Sequence, residues 1–278
     1  MLKNAIEKHP VVILTGARQV GKSTLLRHEK PFTQWRYITF DDYDALRQAK
    51  EKPEALWAGT ESVVLDEVQK VPEIFSSIKK TVDNRLKNIR FMLSGSANIL
   101  LMQQVSESLA GRAVYFILDP LSLGEVYKRV KPDFLQNTLN SSFPAEVELP
   151  DNVPDIFPIL FRGFLPPLLR LASTDDSVRW WDGYVSTYLE RDLRQISQIA
   201  NLVDFRRVME MAALRSGQLF NQSEVARDIG VSQPTVNRYL NILETTYMFQ
   251  RVPAFSVNRS SRIIKTPKSF CNDTGLAV

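Results

Sequence analysis

The chain has 278 residues, of which 44% are hydrophobic and 24% charged, and its formal net charge is +4. This is the composition of an ordinary globular protein of about two domains, and so small a charge permits a nucleic-acid partner without requiring one. The single cysteine, Cys271, excludes an internal disulfide, and two histidines, His9 and His28, are too few for a Cys/His zinc cluster. No apolar run approaches about 20 residues, which argues against membrane insertion and favours a cytoplasmic protein.

The first predicted elements are a strand, a glycine loop and a helix. Residues 11–14 are a short apolar run typical of a buried strand, and residues 16–23 fit G-x-x-x-x-G-K-[ST] at each fixed position. Glycines allow close approach to phosphates, and loop amides and a helix N-terminus attract them. Lys22 would reach the β- and γ-phosphates and Ser23 would ligate Mg²⁺. We therefore predict a nucleotide site made of Gly16, Ala17, Arg18, Gln19, Val20, Gly21, Lys22, Ser23 and Thr24.

A pair of acidic residues follows the third predicted strand. Residues 35–40 are aromatic and β-branched, and residues 62–65 are an apolar run that ends in Asp66 and Glu67. Open α/β sheets bind ligands at the carboxyl ends of their strands. We therefore expect Asp66 to hold a hydrated Mg²⁺ opposite Ser23, and Glu67 to polarise the water that attacks the γ-phosphate.

A helix over residues 72–86 leads to a further strand at 89–93, which ends in a serine-rich segment. In AAA+-type ATPases a polar residue at this strand end touches the γ-phosphate or the attacking water. Ser94 is the first candidate for this sensor and Ser96 the second. A serine here could equally cap a helix that begins near Asn98.

Arg112 precedes the fifth predicted strand, residues 113–118. It is a candidate phosphate contact in its own site or in a neighbouring subunit's, or else half of a surface salt bridge. The pattern as a whole predicts a five-stranded parallel sheet with helices on both faces, over a P-loop ATPase domain of residues 1–131. The Asn-Lys-x-Asp base reader of GTPases is absent, which favours adenine.

Residues 132–158 contain five prolines and predict an exposed loop or insertion. Residues 159–200 form a helical linker segment, with a long helical pattern over 175–199. Arg191 in that pattern is an arginine-finger candidate or, alternatively, a structural ion-pair partner on its own helix.

Residues 201–268 predict a mostly α winged-helix domain. A helix, a tight turn at Gly230 and a second helix capped by Ser232 have the apolar spacing of a helix-turn-helix. Segments 246–252 and 261–265 are the expected wing strands.

The second of these helices would present polar groups to a partner. Residues of the types that read bases stand on it, and cations that contact phosphates follow in the wing. Winged helices in ATPases also serve as protein contacts, so DNA and protein both stay open as partners. The candidate nucleic-acid residues are Gln233, Thr235, Asn237, Arg238 and Arg262.

With both halves described, the chain resembles a prokaryotic family of AAA+-like P-loop ATPases that carry a C-terminal winged helix and a domain of unknown function. The resemblance covers nearly the full length and rests on segments 16–23, 65–72, 93–96, 109–112, 188–193, 231–236 and 273–276. It implies ATP binding, hydrolysis and a cytoplasmic location. Typical members continue into a segment similar to restriction endonucleases, so we expect residues 269–278 to be the start of a truncated region.

The sequence therefore predicts an ATP hydrolase that uses ATP and Mg²⁺ and moves a winged-helix module on a DNA or protein partner, with homo-oligomerisation left open. One alternative is an ATP-regulated DNA-binding protein with little or no turnover. A second is a small-molecule kinase, which the winged helix and the Asp66–Glu67 pair disfavour.

Overall fold

The computed structural model describes residues 1–84, 88–96, 109–128, 140, 155–171, 173–187, 199, 201–258, 260 and 265–277. Its N-terminal part is built on a five-stranded parallel sheet with strand order β2-β3-β4-β1-β5, which confirms the predicted sheet. The strands are β1 (Val11–Gly16), β2 (Arg36–Thr39), β3 (Ser62–Asp66), β4 (Arg90–Ser94) and β5 (Ala113–Leu118).

Both faces of this sheet are covered: the central strands β1, β3 and β4 are buried at nearly every position and point alternate side chains to opposite sides. Val11 and Ile13 of β1 pack on one side, while Val12 and Leu14 pack on the other. The helices that surround the sheet are α1 (Leu2–Lys8), α2 (Lys22–His28), α3 (Tyr43–Glu51), α4 (Ile74–Asp83) and α5 (Leu123–Val126). The predicted end of α4 at Leu86 lies outside the described residues, as does the helix expected near Asn98.

The strand register places the functional segments at one edge of the sheet. Leu14 of β1 pairs with Ser94 of β4, and Leu65 of β3 pairs with Leu93, so Asp66 and Ser94 are neighbours. The glycine loop follows β1 at this same carboxyl edge.

The C-terminal unit, here the described residues from 155 to 277, is mostly helical. Its elements are α6 (Phe157–Arg162), a 3₁₀ turn (Pro166–Arg170), α7 (Thr174–Thr187), α8 (Leu202–Leu214), α9 (Gln222–Ile229), α10 (Gln233–Thr245), β6 (Phe249–Val252), β7 (Lys268–Cys271) and a 3₁₀ turn (Thr274–Ala277). Of the predicted loop over 132–158, only residues 140 and 155–158 are described. The predicted helix over 175–199 is seen as α7, and Arg191 lies outside the described residues.

Helices α9 and α10 meet at the turn expected from the sequence. Gly230 has left-handed backbone angles that favour glycine, and the Ser232 side chain caps α10 by accepting from the Thr235 N–H. Of the expected second wing strand at 261–265, only Lys265 lies within the described residues, so that strand stays a prediction. The strand that pairs with β6 is β7, in antiparallel register with Val252 opposite Lys268, and Lys265 lies before it. The domain boundaries drawn from the sequence stay predictions.

The last described turn is packed against the start of the unit. Trp181 Nε1 donates to the Arg162 carbonyl at 3.0 Å, and the Phe164 N–H donates to Asp273 Oδ2 at 2.9 Å. Gly275 is buried beside this pair of contacts, and a Cβ placed on it would overlap Trp181 Nε1 and lie 2.7 Å from the Arg162 carbonyl oxygen.

We therefore expect Gly275→Ala to lower the free energy of unfolding by about 1–3 kcal/mol, because the added methyl must push the Trp181 indole off its carbonyl. Urea unfolding followed by tryptophan fluorescence measures this. Gly183→Ala is the matched control: Gly183 lies within α7 with no heavy atom within 4 Å of the new Cβ. Because alanine has a higher helix propensity than glycine, that variant should be more stable than wild type by up to about 1 kcal/mol. Equal stability of the two variants would contradict this packing.

Candidate functional site

The glycine loop is shaped by two glycines with positive φ. Gly16 ends β1 at φ +145°, and a Cβ there would overlap the carbonyl oxygen of Leu118 on the neighbouring strand. Gly21 caps α2 from φ +104°, a left-handed angle that side chains disfavour. The loop between them therefore turns tightly from the strand into the helix, with unpaired amides at the helix N-terminus.

Lys22 lies at the centre of the loop and is only 6% exposed. Its Nζ donates to the carbonyl oxygens of Gly16 at 2.9 Å and Ala17 at 2.8 Å. Burial lowers the pKa of Lys22 to about 8, although the negative charges of Glu67 and Asp66 act in the opposite direction. The loop thus holds a partly desolvated cation that an anionic ligand would stabilise.

Asp66 ends β3 and is 2% exposed. It accepts from the Tyr37 hydroxyl, from the Ser94 hydroxyl and, at 3.1 Å, from the Glu67 backbone N–H. This corrects the expectation for Ser94: its hydroxyl is fully buried on Asp66 and is absent from the cavity wall. Ser96, the second candidate, lines the cavity instead. Sequence reasoning missed Tyr37, which reaches Asp66 because β2 and β3 are adjacent.

Tyr37 is the half-buried partner of two charged groups. Burial, helped by the hydrogen bond to Asp66, raises the pKa of Tyr37 to about 12. The Arg27 guanidinium lies 4.7 Å from the centre of the Tyr37 ring.

Glu67 adopts a left-handed backbone, φ +59°, at the start of a 3₁₀ turn (Val68–Lys70). Burial raises the pKa of Glu67, while a hydrogen bond from Gln69 lowers it in part. The Gln69 amide donates both to Glu67 Oε2 and, at 3.1 Å, to the Ser96 hydroxyl. Gln69 was missed as a site residue; its position two residues after the acidic pair was the available signal.

An open cavity of about 1080 Å³ lies above these groups, a volume suited to a nucleotide. Loop residues 18–24 form one wall, Glu67, Gln69 and Ser96 another, and Pro166, Pro167 and Arg170 of the C-terminal unit a third. Asp41 and Lys70, which also line it, form an ion pair. The last five of these residues were not expected from the sequence.

The donor set fits a magnesium ion. Mg²⁺ prefers hard oxygen ligands and keeps several of its waters. Ser23 lines the cavity, and Asp66, next to the cavity residue Glu67, has acceptor capacity beyond its three hydrogen bonds. These two side chains would hold the ion, Ser23 directly and Asp66 through bound water.

Arg112 is not at this site, which corrects the expectation that it contacts phosphate within its own subunit. It immediately precedes β5, at the opposite edge of the parallel sheet from the glycine loop. Its guanidinium pairs with Asp83 through Nε at 2.6 Å and Nη2 at 3.0 Å. This is the surface salt bridge that the sequence had left open.

On α10, Gln233, Asn237 and Arg238 are exposed. The Thr235 hydroxyl is 2.8 Å from the Ser232 hydroxyl, and Asn237 accepts from Arg251 of β6 at 3.3 Å. Arg262 lies outside the described residues.

Comparison with known families covers both halves of the chain. Residues 8–127 match the family model described as an AAA domain, and residues 154–278 match a domain of unknown function, DUF8612. Together with the parallel sheet and the glycine loop, the first match supports an ATP-binding, AAA-like protein with the P-loop ATPase fold.

The chain is also similar to individual proteins, all of them uncharacterized. Uncharacterized proteins of Mycobacterium tuberculosis and Mycobacterium bovis are each 34% identical over 277 residues, which cover 99% of this chain and 57% of the relative. An uncharacterized protein of Haemophilus influenzae is 22% identical over 290 residues, covering 96% of this chain and 68% of that protein. The chain thus spans little more than half the length of its mycobacterial relatives.

Among solved structures, the Walker-type ATPase PABY2304 of Pyrococcus abyssi superimposes with a TM-score of 0.61 at 18% identity, covering 99% of this chain and 92% of that one. At this identity the likeness shows the fold alone. Within the described ranges, no helix has the length and apolar character needed to cross a bilayer.

The Tyr37–Asp66 contact predicts a specific pH dependence. Because the pKa of Tyr37 is raised, the stability that its neutral hydroxyl contributes is fully present below about pH 10 and is lost as the pH rises through about 12. Wild type should therefore lose more unfolding free energy over this interval than Tyr37→Phe. Denaturant unfolding at several pH values measures the difference. Tyr43→Phe, at a 75% exposed tyrosine, should follow wild type; parallel curves for wild type and Tyr37→Phe would contradict the prediction.

Proposed function

We propose that the protein is a Mg²⁺-dependent ATPase whose hydrolysis cycle acts on a partner through the C-terminal unit. The observation that carries the proposal is the convergence of the glycine loop with the Asp66–Glu67 pair around one cavity. Two segments far apart in sequence are joined there by parallel strand pairing. This is the arrangement that phosphoryl transfer to water requires.

The roles follow from position. The loop amides and Lys22 bind the phosphates, with Gly16, Ala17, Arg18, Gln19, Val20, Gly21 and Thr24 forming the cradle. Ser23 and Asp66 hold Mg²⁺, which supplies neutralisation of charge on the phosphates when bound. Arg112 contributes nothing to its own site, and its contribution to a neighbouring subunit stays a prediction along with oligomerisation.

Glu67 is the general base in this proposal. Its partly buried carboxylate lines the cavity, where it can accept a proton from a water placed there. The hydrogen bond from Gln69 favours the ionised form, which a base must adopt.

The sensor role passes to Ser96. Its hydroxyl lines the cavity and is joined through the Gln69 amide to Glu67. A shift of Ser96 on contact with the γ-phosphate can therefore reach Glu67, the general base. Ser94 instead fixes the orientation of Asp66 from below.

We further propose that α8, α9, α10, β6 and β7 form the winged-helix module that contacts the partner. The left-handed turn at Gly230, the capped start of α10 and the two-stranded sheet behind it support this. Gln233, Asn237 and Arg238 would be its contact residues, with Thr235 tied to its cap and Arg262 as a predicted phosphate contact. Its partner is DNA or a protein.

Lys22→Ala should weaken MgATP binding by at least about 100-fold, because the loop loses the buried cation that faces the phosphates. Glu67→Gln should keep the affinity within about threefold and lower kcat by about 10²–10⁴-fold. Fluorescent-nucleotide titration and phosphate release measure the two constants. Hydrolysis by Glu67→Gln at the wild-type rate would refute the role of Glu67. Turnover without an added acceptor excludes the kinase alternative.

A DNA partner predicts an affinity for duplex DNA that falls steeply with salt. Arg238→Ala should then reduce the log–log salt slope by about one, whereas Arg207→Ala, at an exposed arginine of α8, should leave it unchanged. Fluorescence anisotropy over a salt series, run beside ATP hydrolysis with and without DNA, measures both effects. DNA binding with negligible turnover would favour the regulator alternative, and no DNA binding at low salt would leave a protein as the partner.

A further inference from the structure

The phosphate loop is packed into the apolar core of the C-terminal unit. Ala17 and Val20 of the loop are 5% and 4% exposed, and they pack in one continuous apolar cluster with residues of the C-terminal unit. That cluster includes Tyr184 of α7 and Tyr239 and Leu240 of α10. The loop is therefore packed against the C-terminal unit through these apolar side chains.

Three successive carbonyls of the loop are occupied by donors. Lys22 takes the carbonyls of Gly16 and Ala17, and the Tyr184 hydroxyl donates to the third, that of Arg18, at 3.3 Å. An anion cradle needs its amides directed at the ligand and its carbonyl oxygens, which repel phosphate, directed away. Tyr184 therefore supplies from outside the ATPase sheet a contact that favours the phosphate-binding arrangement.

The Tyr184 hydroxyl is itself well fixed. Its ring stacks on Trp180, with centroids 5.2 Å apart and planes 17° apart, and meets Trp181 edge-on at 5.4 Å. Trp181 is anchored in turn by its hydrogen bond to the Arg162 carbonyl. The hydroxyl is thus carried by a rigid aromatic group.

A second tyrosine reaches the strand that feeds the loop. The Tyr247 hydroxyl lies 2.8 Å from the hydroxyl of Thr15, which is buried and bonds to the Phe116 carbonyl at 3.3 Å. Because Thr15 gives its one hydrogen to that carbonyl, Tyr247 is the donor of the pair. Tyr247 follows the end of α10, and its carbonyl accepts from the Asn272 side chain at 3.1 Å.

We propose that Tyr184 is a positioning residue for the phosphate cradle, and that through it the C-terminal unit sets the affinity of the loop for polyphosphate. Tyr247 supports the same loop at its base. The inference rests on the nucleotide binding proposed above and adds that the binding is controlled from α7. By linkage, a ligand in the cradle must stabilise the Tyr184 contact to the same extent as the contact strengthens binding.

The test is Tyr184→Phe, which removes one oxygen and keeps the ring. The matched control is Tyr239→Phe, because the Tyr239 hydroxyl also donates to a backbone carbonyl, that of Asn201 at 3.2 Å, within the same core but away from the loop. Loss of the Arg18 contact should weaken binding of MgATP by about fivefold, the effect of one ordinary hydrogen bond. Binding of magnesium tripolyphosphate, which lacks the adenine base, should weaken by the same factor if the effect lies in the phosphate cradle.

A second measurement needs no ligand. Amide hydrogen exchange of the peptide covering residues 16–21 should speed up by about fivefold in nucleotide-free Tyr184→Phe and stay unchanged in Tyr239→Phe. A merely structural role would lower the melting temperature of both variants alike without this difference.

The outcomes are distinguishable. If wild type binds neither ligand, the proposed function fails. If wild type binds both and Tyr184→Phe matches it in affinity and in loop exchange, only the role of Tyr184 is overturned. A loss confined to ATP and absent for tripolyphosphate would also overturn it, because the effect would then lie at the base.

Discussion

The contact of Lys22 with its own loop is the interaction on which the rest of the site depends. Burying an ammonium group is costly, and two backbone carbonyls with the nearby carboxylates of Asp66 and Glu67 offset only part of that cost, as the pKa of about 8 indicates. A phosphate would complete the compensation. The Lys22 ammonium group is thus available to pair with an anion. The shape of the loop, set by Gly16 and Gly21, holds that group in place.

The order of the strands in the sheet brings the other site residues close to Lys22. Inserting β1 between β4 and β5 brings the loop beside the ends of β3 and β4, where Asp66 and Ser94 lie. The hydroxyl donors on Asp66, from the buried Ser94 and the half-buried Tyr37, then fix the orientation of its carboxylate. The turns that follow β3 and β4 then carry Glu67, Gln69 and Ser96 to the cavity lining.

Much of this was predictable, and the errors have physical causes. The sheet and the glycine loop could be read because apolar runs and fixed glycine spacing are local signals. The roles of Ser94 and Ser96 could not be assigned, because Ser94 ends β4, Ser96 lies beyond the strand, and only the register of β3 against β4 shows that Ser94 meets Asp66. The alternatives for Arg112 could not be decided because its partner, Asp83, is distant in sequence. The strand β7 was not predicted, since it has the weak pattern of a short edge strand.

Because the C-terminal unit shares an apolar core with the phosphate loop, it is not an independent module. Were it a separate module on a linker, its packing would be indifferent to the phosphate loop. Ala17 and Val20 instead complete the apolar cluster that holds α10, and the hydroxyl of Tyr247 joins the end of that helix to Thr15. A packed interior of this kind transmits small shifts instead of absorbing them, because it has few voids into which side chains can relax. Any movement of the loop on binding an anion must therefore be accommodated by α7 or α10, and α10 carries the exposed polar face proposed for the partner.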